Sequence, residues 1–463
     1  MTPPTRRVLT LALAGLAARA LLAALAPLGV DEAYYVDWAR HLQAGYLDHP
    51  PAIAWLVAGP LALLGPHPLA VRLLPLLLQV GTTLLAADLA RARGGERAGA
   101  AAALALQAAP VFSLGAMLAT PDAPLAFAWV GTLWALDRAT RRDPRWFLAA
   151  GGFLGLAALS KLTAGLLGLA ALLALLATPR GRRLLASPWP WLGALVALAL
   201  ASPVLSWNAA RGWPSLAFQA RHGARGRSFS LVRFLASLGA QAAYVSPLLF
   251  VLAGRAAVKR PPDDDPARLA LSLSGLPVVA FFTLAAAFTP GALPHWPAPG
   301  WLSALLLLPA ALGTVAGRRA FRIAVGTGFA FSAAAVAALT LPLPFHPSPR
   351  DELAGWEEAA RAARGVSGGA RLAATHWIGL GQLGWYAGAP VAYVGEVPCA
   401  ASFYEPDPRR SGEPLLVVAA DGLGPSREKL EATLGPLEPA GGYEARDGAR
   451  LLRRFRFYRT RPR

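Results

Sequence analysis

Val30-Asp31-Glu32-Ala33-Tyr34-Tyr35-Val36-Asp37-Trp38 directly follows the first long apolar segment of the chain, and Gly45-Tyr46-Leu47-Asp48-His49-Pro50-Pro51 comes shortly after it. Two adjacent carboxylates therefore stand at the end of an apolar run of about 20 residues, the length that crosses a bilayer as a helix. Aromatic residues recur after them at helical spacing, which predicts a short helix with an aromatic face in the lipid headgroup layer. The stretch predicts an acidic loop at a membrane surface.

The composition indicates that most of the chain lies in a membrane. Of the 463 residues, 55% are hydrophobic and only 15% are charged, and the mean hydropathy is +0.43. Apolar segments predict about eleven transmembrane helices at 8–29, 69–90, 97–118, 123–139, 146–160, 162–178, 189–208, 232–254, 267–289, 299–316 and 321–341. The predicted fold is thus an all-α polytopic membrane domain over residues 1–341, with residues 30–68 as its first exoplasmic loop.

The basic residues indicate how the chain is oriented. The formal charge is +18, and all but three of the 44 basic residues are Arg. A nucleic-acid partner is one interpretation of such a charge, but these residues are scattered between apolar segments and form no compact patch, so we predict none. Arginine-rich connections alternate along the chain and are assigned to the cytoplasm by the positive-inside rule, which places the acidic loop on the outer face.

A change in composition near residue 342 predicts a second domain. The predicted domain 342–463 begins with a proline-rich linker at 341–349, after which residues 350–463 resemble a small soluble α/β domain on the exoplasmic side. We predict helices at 351–363 and 426–433 and strands at 371–375, 391–394, 414–420 and 451–458. The role of this domain is left open by the sequence.

Several polar residues on the outer face are candidates for chemistry. Asp31 and Glu32 are either a solvated pair at a helix end or a partly buried general base. Asp122, after Thr120-Pro121, is either a helix N-cap or a second acid of the same cavity. The candidate catalytic residues are therefore Asp31, Glu32 and Asp122.

Other outer residues are candidates for substrate binding. Lys161 lies at the turn of a hairpin between apolar segments, where it either reaches for the headgroups or binds an anion. Arg221 and Arg227 depart from the positive-inside pattern; they bind either anionic headgroups generally or the phosphate of a substrate. His295, between two prolines, belongs either to a rigid loop over the site or to a packed aromatic turn. Tyr35 and His49 complete the predicted substrate-binding set.

Six motifs together resemble a known family. They are Asp-Glu-Ala-Tyr-Tyr at 31–35, Gly-Tyr-Leu-Asp-His-Pro-Pro at 45–51, Ala-Val-Arg-Leu at 70–73, Thr-Pro-Asp at 120–122, Leu-Ser-Lys-Leu-Thr at 159–163 and Pro-His-Trp-Pro at 294–297. In this order, over about the first 300 residues, they resemble the polyprenol-phosphate-sugar-dependent glycosyltransferases of the GT-C superfold. Within it they resemble family 39, with the protein O-mannosyltransferases and the bacterial lipid A aminoarabinose transferases.

The resemblance implies roles for particular residues. Asp31 would be the catalytic carboxylate of the first exoplasmic loop, with Glu32 as its neighbour. His49 stands where the aminoarabinose transferases commonly have a Lys before the paired prolines, and a His can still donate to a phosphate. The resemblance also implies chemistry without a metal or another cofactor.

The leading hypothesis is an inverting glycosyltransferase in a bacterial inner membrane, with its active site facing the periplasm. It would take a monosaccharide from a polyprenyl-phosphate carrier held among membrane lipids and transfer it to a glycolipid, a polysaccharide or a protein. The alternatives are a transporter or flippase of a lipid-linked substrate and a non-catalytic membrane scaffold.

Overall fold

The structure is a computed structural model that describes residues 3–223, 228–259, 264–341 and 351–461. The chain divides into two compact units. The first unit comprises residues 1–24, 49–53 and 72–336, and the second comprises residues 25–48, 54–71 and 337–463. The second unit therefore contains most of the acidic loop as well as the C-terminal segment, whereas the sequence assigned that loop to the domain 1–341. Residues 342–349 of the predicted linker lie outside the described residues.

Helices dominate the described part of the chain. They are α1 (Pro3–Leu25), α2 (Val30–Arg40), α3 (Ala52–Leu64), α4 (Pro68–Ala108), α5 (Pro110–Ser113), α6 (Asp122–Arg141), α7 (Trp146–Ser160), α8 (Ala164–Ala177), α9 (Pro179–Leu185), α10 (Trp189–Ala209), α11 (Pro214–Gly223), α12 (Leu231–Val245), α13 (Pro247–Ala257), α14 (Pro266–Leu273), α15 (Leu276–Phe288), α16 (Ala298–Leu307), α17 (Val315–Thr340), α18 (Trp356–Val366), α19 (Trp377–Ala387) and α20 (Arg427–Leu434). The strands are β1 (Arg371–Ala374), β2 (Ala392–Tyr393), β3 (Leu415–Ala420), β4 (Leu437–Asp447) and β5 (Arg450–Thr460).

The helices of the first unit agree with the predicted apolar segments in position, although their lengths vary. Over the described ranges, five helices are long and apolar enough to cross a membrane, and up to seven if each of two bent pairs is one span. One such pair is α12 and α13, which bend by 102°. The count of eleven spans remains a prediction.

The long helix α4 is interrupted where the sequence predicts a connection between two spans. Gly95 has φ 77° and ψ −175°, a backbone conformation that is open to glycine and strained for other residues. The break falls between the predicted spans 69–90 and 97–118. Although hydrogen bonds run through α4 as one element, its backbone is broken at Gly95 into two helices.

Glycines allow two helices of the first unit to pack backbone against backbone. A Cβ added to Gly151 of α7 would lie 1.9 Å from the carbonyl oxygen of Gly193 in α10. A Cβ on Gly193 would in turn lie 2.3 Å from the carbonyl oxygen of Phe147. Small residues at such crossings are typical of helix pairs in membranes, because they let the backbones approach and gain van der Waals contact.

We expect Gly151→Ala to destabilise the first unit, because its methyl group forces α7 and α10 apart. The cost of such overpacking is about 1–3 kcal/mol. The measurement is the apparent melting temperature of the detergent-purified protein. Gly152→Ala is the matched control, since a Cβ on Gly152 meets nothing within 4 Å. Equal melting temperatures for the two variants would contradict this packing.

The second unit contains a five-stranded mixed sheet with the order β2-β1-β3-β5-β4. Strands β1, β2 and β3 are parallel, and β5 runs antiparallel to β3 and β4. The predicted strands at 371–375, 391–394, 414–420 and 451–458 and the two predicted helices are all present, with shifted ends. Helix α19 and strand β4 were not predicted.

Helix α2 was predicted correctly as a helix, but the predicted environment of its aromatic face was wrong. Tyr34, Tyr35 and Trp38 are buried, and the ring centroid of Tyr34 lies 5.2 Å from that of Trp377 in α19. Protein therefore covers the face that was expected to lie in the headgroup layer. Asp37, expected on another face, is buried as well.

Candidate active site

An ion pair joins two of the predicted site residues of the first unit. Asp122 is the first residue of α6, and Lys161 directly follows the last residue of α7. These helices are consecutive and pack together, so the start of α6 meets the end of α7. The Nζ of Lys161 donates to Oδ1 of Asp122 at 2.8 Å, and both side chains are partly buried. The carboxylate thus pairs with a lysine, and the residue at the N-cap position is Pro121.

Two histidines lie around the same carboxylate. The Nε2 of His295 is 4.0 Å from Oδ2 of Asp122, and His49 is close enough to stabilise the negative charge of Asp122. Burial lowers the pKa of His295, so this imidazole is mainly neutral at pH 7. We call Asp122, Lys161, His295 and His49 the Asp122 cluster.

The Asp122 cluster is suited to holding an anion. A lysine ammonium has three donors, of which Asp122 accepts one, and a neutral imidazole offers one N–H. The hydrogen bond to the carboxylate holds Lys161 in a fixed direction, and the negative charge of Asp122 offsets the positive charge of the ammonium when no anion is bound. Donors fixed in a partly buried place stabilise a charge better than donors in free water do.

The two predicted arginines are not part of the Asp122 cluster. Arg221 lies near the end of α11 with an exposed side chain, and within the described ranges no ion pair joins it to the cluster. Arg227 lies outside the described residues. Their proposed contact with a phosphate remains a prediction.

The adjacent carboxylates of α2 have different environments. Asp31 is exposed in the first turn of the helix. The buried Glu32 accepts a hydrogen bond from the backbone N–H of Gly29 at 2.9 Å and so helps to start α2. Tyr35 is buried against Trp38, with ring centroids 4.9 Å apart. Of these three side chains, only that of Asp31 is exposed to solvent.

Asp48 is a buried carboxylate that the sequence did not single out, although it belongs to the quoted Asp-His-Pro-Pro motif. The hydroxyl of Tyr34 donates to Oδ2 of Asp48 at 3.0 Å. The pKa of Asp48 is raised to about 6, mainly by burial and to a smaller extent by the negative charge of Asp31, while the hydrogen bond from Tyr34 lowers it in part. Tyr34 of the first motif and Asp48 of the second are therefore in contact within the second unit.

This raised pKa predicts a pH-dependent stability. Unfolded Asp loses its proton near pH 3.9, whereas folded Asp48 keeps its proton to about pH 6. The folded state binds more protons in this window, so the free energy of unfolding falls as pH rises from about 4 to about 6 and is then level. The fall from Asp48 alone is on the order of 1–3 kcal/mol.

Asp48→Asn should reduce that fall, because the amide is neutral at every pH and its oxygen still accepts from Tyr34. The measurement is the apparent melting temperature between pH 4 and 7 for both proteins. Glu396→Gln, at an exposed carboxylate paired with Lys429, is the control and should leave the profile unchanged. Superimposable profiles for wild type and Asp48→Asn would contradict a raised pKa.

Comparison of the sequence with known proteins finds similarity to glycosyltransferases. Residues 48–207 match the family model of dolichyl-phosphate-mannose-protein mannosyltransferases. A lipid A galacturonosyltransferase of Rhizobium johnstonii is 29% identical over 267 residues, which cover 56% of this chain and 55% of that protein. The aligned region thus spans about half the length of this relative.

Two solved structures have a similar fold over nearly the whole length of this chain. ArnT from Cupriavidus metallidurans in the apo state superposes with a TM-score of 0.67 at 19% identity, over 99% of this chain and 98% of ArnT. The same protein bound to undecaprenyl phosphate also gives 0.67, at 20% identity over 98% and 97% of the two chains. At this identity the likeness shows the fold. Together, the comparisons confirm the resemblance predicted from the motifs: this chain has a GT-C fold and is similar to the aminoarabinose-transferase-like glycosyltransferases.

Proposed function

We propose that this protein is a membrane glycosyltransferase that moves a monosaccharide from a polyprenyl-phosphate carrier to a glycolipid at the outer face of a bacterial inner membrane. The observation that carries the proposal is the Asp122 cluster. Its four residues come from four separate motifs of the sequence, and each is a candidate from the sequence alone; their ion pair and electrostatic contacts support a common role. Such a cluster matches the phosphate end of the proposed donor.

The Asp122 cluster receives the departing phosphate. Bond breaking between the anomeric carbon and the phosphate oxygen adds negative charge to the carrier phosphate. The ammonium of Lys161 offsets this charge, and the imidazoles of His49 and His295 donate hydrogen bonds to it. Asp122 orients Lys161 and remains ionised throughout.

Asp31 is the general base of the proposed reaction. The hydroxyl of the acceptor attacks the anomeric carbon from the side opposite the phosphate and transfers its proton to the Asp31 carboxylate. The products are the inverted glycoside, polyprenyl phosphate and protonated Asp31, which returns its proton to water. An exposed carboxylate in the first turn of α2 is accessible to such a hydroxyl.

The choice of substrates is supported by the similar proteins. One solved structure of ArnT has undecaprenyl phosphate bound, and the relative from Rhizobium johnstonii is named for action on lipid A. We therefore propose a polyprenyl-phosphate sugar as the donor and prefer a glycolipid as the acceptor. A polysaccharide or protein acceptor would use the same chemistry.

Glycolipid analysis of a deletion strain tests this proposal. Mass spectrometry of the envelope lipids should show the loss of one sugar from a glycolipid and accumulation of its polyprenyl-phosphate donor. The wild-type gene should restore the sugar, and the Asp31→Asn gene should not. A flippase would instead give a donor confined to the inner leaflet and full complementation by Asp31→Asn, a result that would reject the enzymatic proposal.

A further inference from the structure

We propose that the C-terminal segment holds the acidic helix α2 in its working position, and that Gly381 of α19 is the residue that makes this hold possible. The inference rests on the proposed function of Asp31, and it assigns a role to a domain whose role the sequence leaves open. All of the contacts described below lie within the second unit.

Gly381 lies where α19 touches the backbone of α2. A Cβ added to Gly381 would lie 2.5 Å from the backbone nitrogen of Tyr34 and 2.7 Å from the carbonyl carbon of Ala33. Real Cβ atoms do not approach backbone atoms this closely, so any other residue must push the two helices apart. The backbone that would be displaced is that of Ala33 and Tyr34, which follow Asp31 by two and three residues.

Hydrogen bonds fasten both ends of α2 to α19. Before α2 begins, the buried Gln382 donates to the carbonyl oxygen of Leu28 at 3.3 Å. Where α2 ends, Arg40 donates to the carbonyl oxygen of Gly384 at 3.0 Å. The close contact at Gly381 lies between these two bonds, so α19 fixes the position of α2 along its length.

The segment after β2 adds two further contacts to α2. The backbone N–H of Ala400 donates to the hydroxyl of Tyr34 at 2.7 Å, and this hydroxyl donates onward to Asp48. The hydroxyl of Tyr404 donates to the buried carboxylate of Asp37. Helix α2 is thus hydrogen-bonded to the C-terminal segment through two of its side chains, those of Tyr34 and Asp37.

This arrangement suits a helix that carries a base. The buried face of α2 is fixed by protein, and Asp31 extends from the same rigid helix into solvent. A general base works only within hydrogen-bond reach of the hydroxyl that it deprotonates, and a shift of about 1 Å can cost on the order of 100-fold in rate. Gly381 acts through α2 and is therefore a positioning residue.

The test compares two glycine substitutions on the same helix. Gly381→Ala should lower kcat for sugar transfer by about 10- to 100-fold, with little change in KM for the donor. It should also speed hydrogen exchange of the amides of α2 and leave exchange in α6 and α7 unchanged. Gly379→Ala is the matched control, because its Cβ would meet only ordinary contacts, at 3.4 Å from Ala374 and 3.6 Å from Trp356.

Gln382→Leu is the second variant if Gly381→Ala does not fold. It removes one hydrogen bond to α2 without a clash and should produce the same pattern with a smaller loss of kcat. Wild-type exchange in α2 together with wild-type kcat in either folded variant would overturn the inference. If the wild-type protein transfers no sugar, the proposed function fails, and the exchange of α2 amides alone then decides whether α19 holds this helix.

Discussion

Asp31→Asn should reduce the rate of sugar transfer by about 10²–10⁴-fold, the range that general-base catalysis contributes. The amide has nearly the same shape as the carboxylate but does not accept the proton of the acceptor hydroxyl. Donor binding should be almost unchanged, since the proposal assigns the carrier phosphate to the Asp122 cluster. The measurement is kcat and the donor KM for purified protein in proteoliposomes.

A second helix offers a control for this substitution. Glu357 is an exposed acid in the first turn of α18, as Asp31 is in the first turn of α2. Glu357→Gln should leave kcat and KM within about twofold of wild type, because surface changes of this kind have little effect on a fold. If Asp31→Asn kept more than a tenth of the wild-type kcat, Asp31 would not be the base.

Lys161→Met should reduce transfer by about 10²–10³-fold, the range found when one preorganised donor to a developing charge is removed. The substitution also leaves the partly buried Asp122 carboxylate without its cation, so that the cluster repels a phosphate instead of binding it. We therefore expect donor KM to rise while kcat falls. Steady-state kinetics at several donor concentrations separates the two effects.

A double-mutant cycle tests whether Asp122 and Lys161 act together. Asp122→Asn should cost less than Lys161→Met, and the double variant should cost less than the sum of both, since the two side chains act as one unit. Lys429→Met is the control: Lys429 also pairs with a carboxylate, that of Glu396 at 3.2 Å, but both are exposed. Additive effects of Asp122→Asn and Lys161→Met would contradict the shared role.

The sequence predicted much of the first unit because hydropathy and motif chemistry are local signals. Lys161 and Asp122 each stand out as a charge beside apolar residues, and His49 and His295 each lie beside proline. The contact between Lys161 and Asp122 depends on how α6 and α7 pack, and the approach of the two histidines depends on loops that precede α3 and α16; no local pattern encodes either. An aromatic face such as that of α2 has the same spacing whether lipid or protein covers it, so its burial against α19 was not predictable.

The two missed elements share a different cause. Helix α19 contains Gly379, Gly381 and Gly384, and glycine disfavours helices by about 1 kcal/mol per residue. Its close approach to α2 requires glycine at position 381, so tertiary packing overrides the propensity. Strand β4 contains Pro439 and two glycines, residues that weaken a strand prediction but are tolerated at the edge of a sheet, where β4 lies.

Transfer by the purified wild-type protein tests the central claim most directly. Proteoliposomes would contain the protein, a polyprenyl-phosphate-linked sugar and lipid A as the acceptor, with a panel of sugars assayed in parallel. We predict acceptor-dependent release of polyprenyl phosphate with one of these donors, and a product whose anomeric configuration is opposite to that of the donor. Release of no carrier from any donor, or a product with retained configuration, would contradict the account.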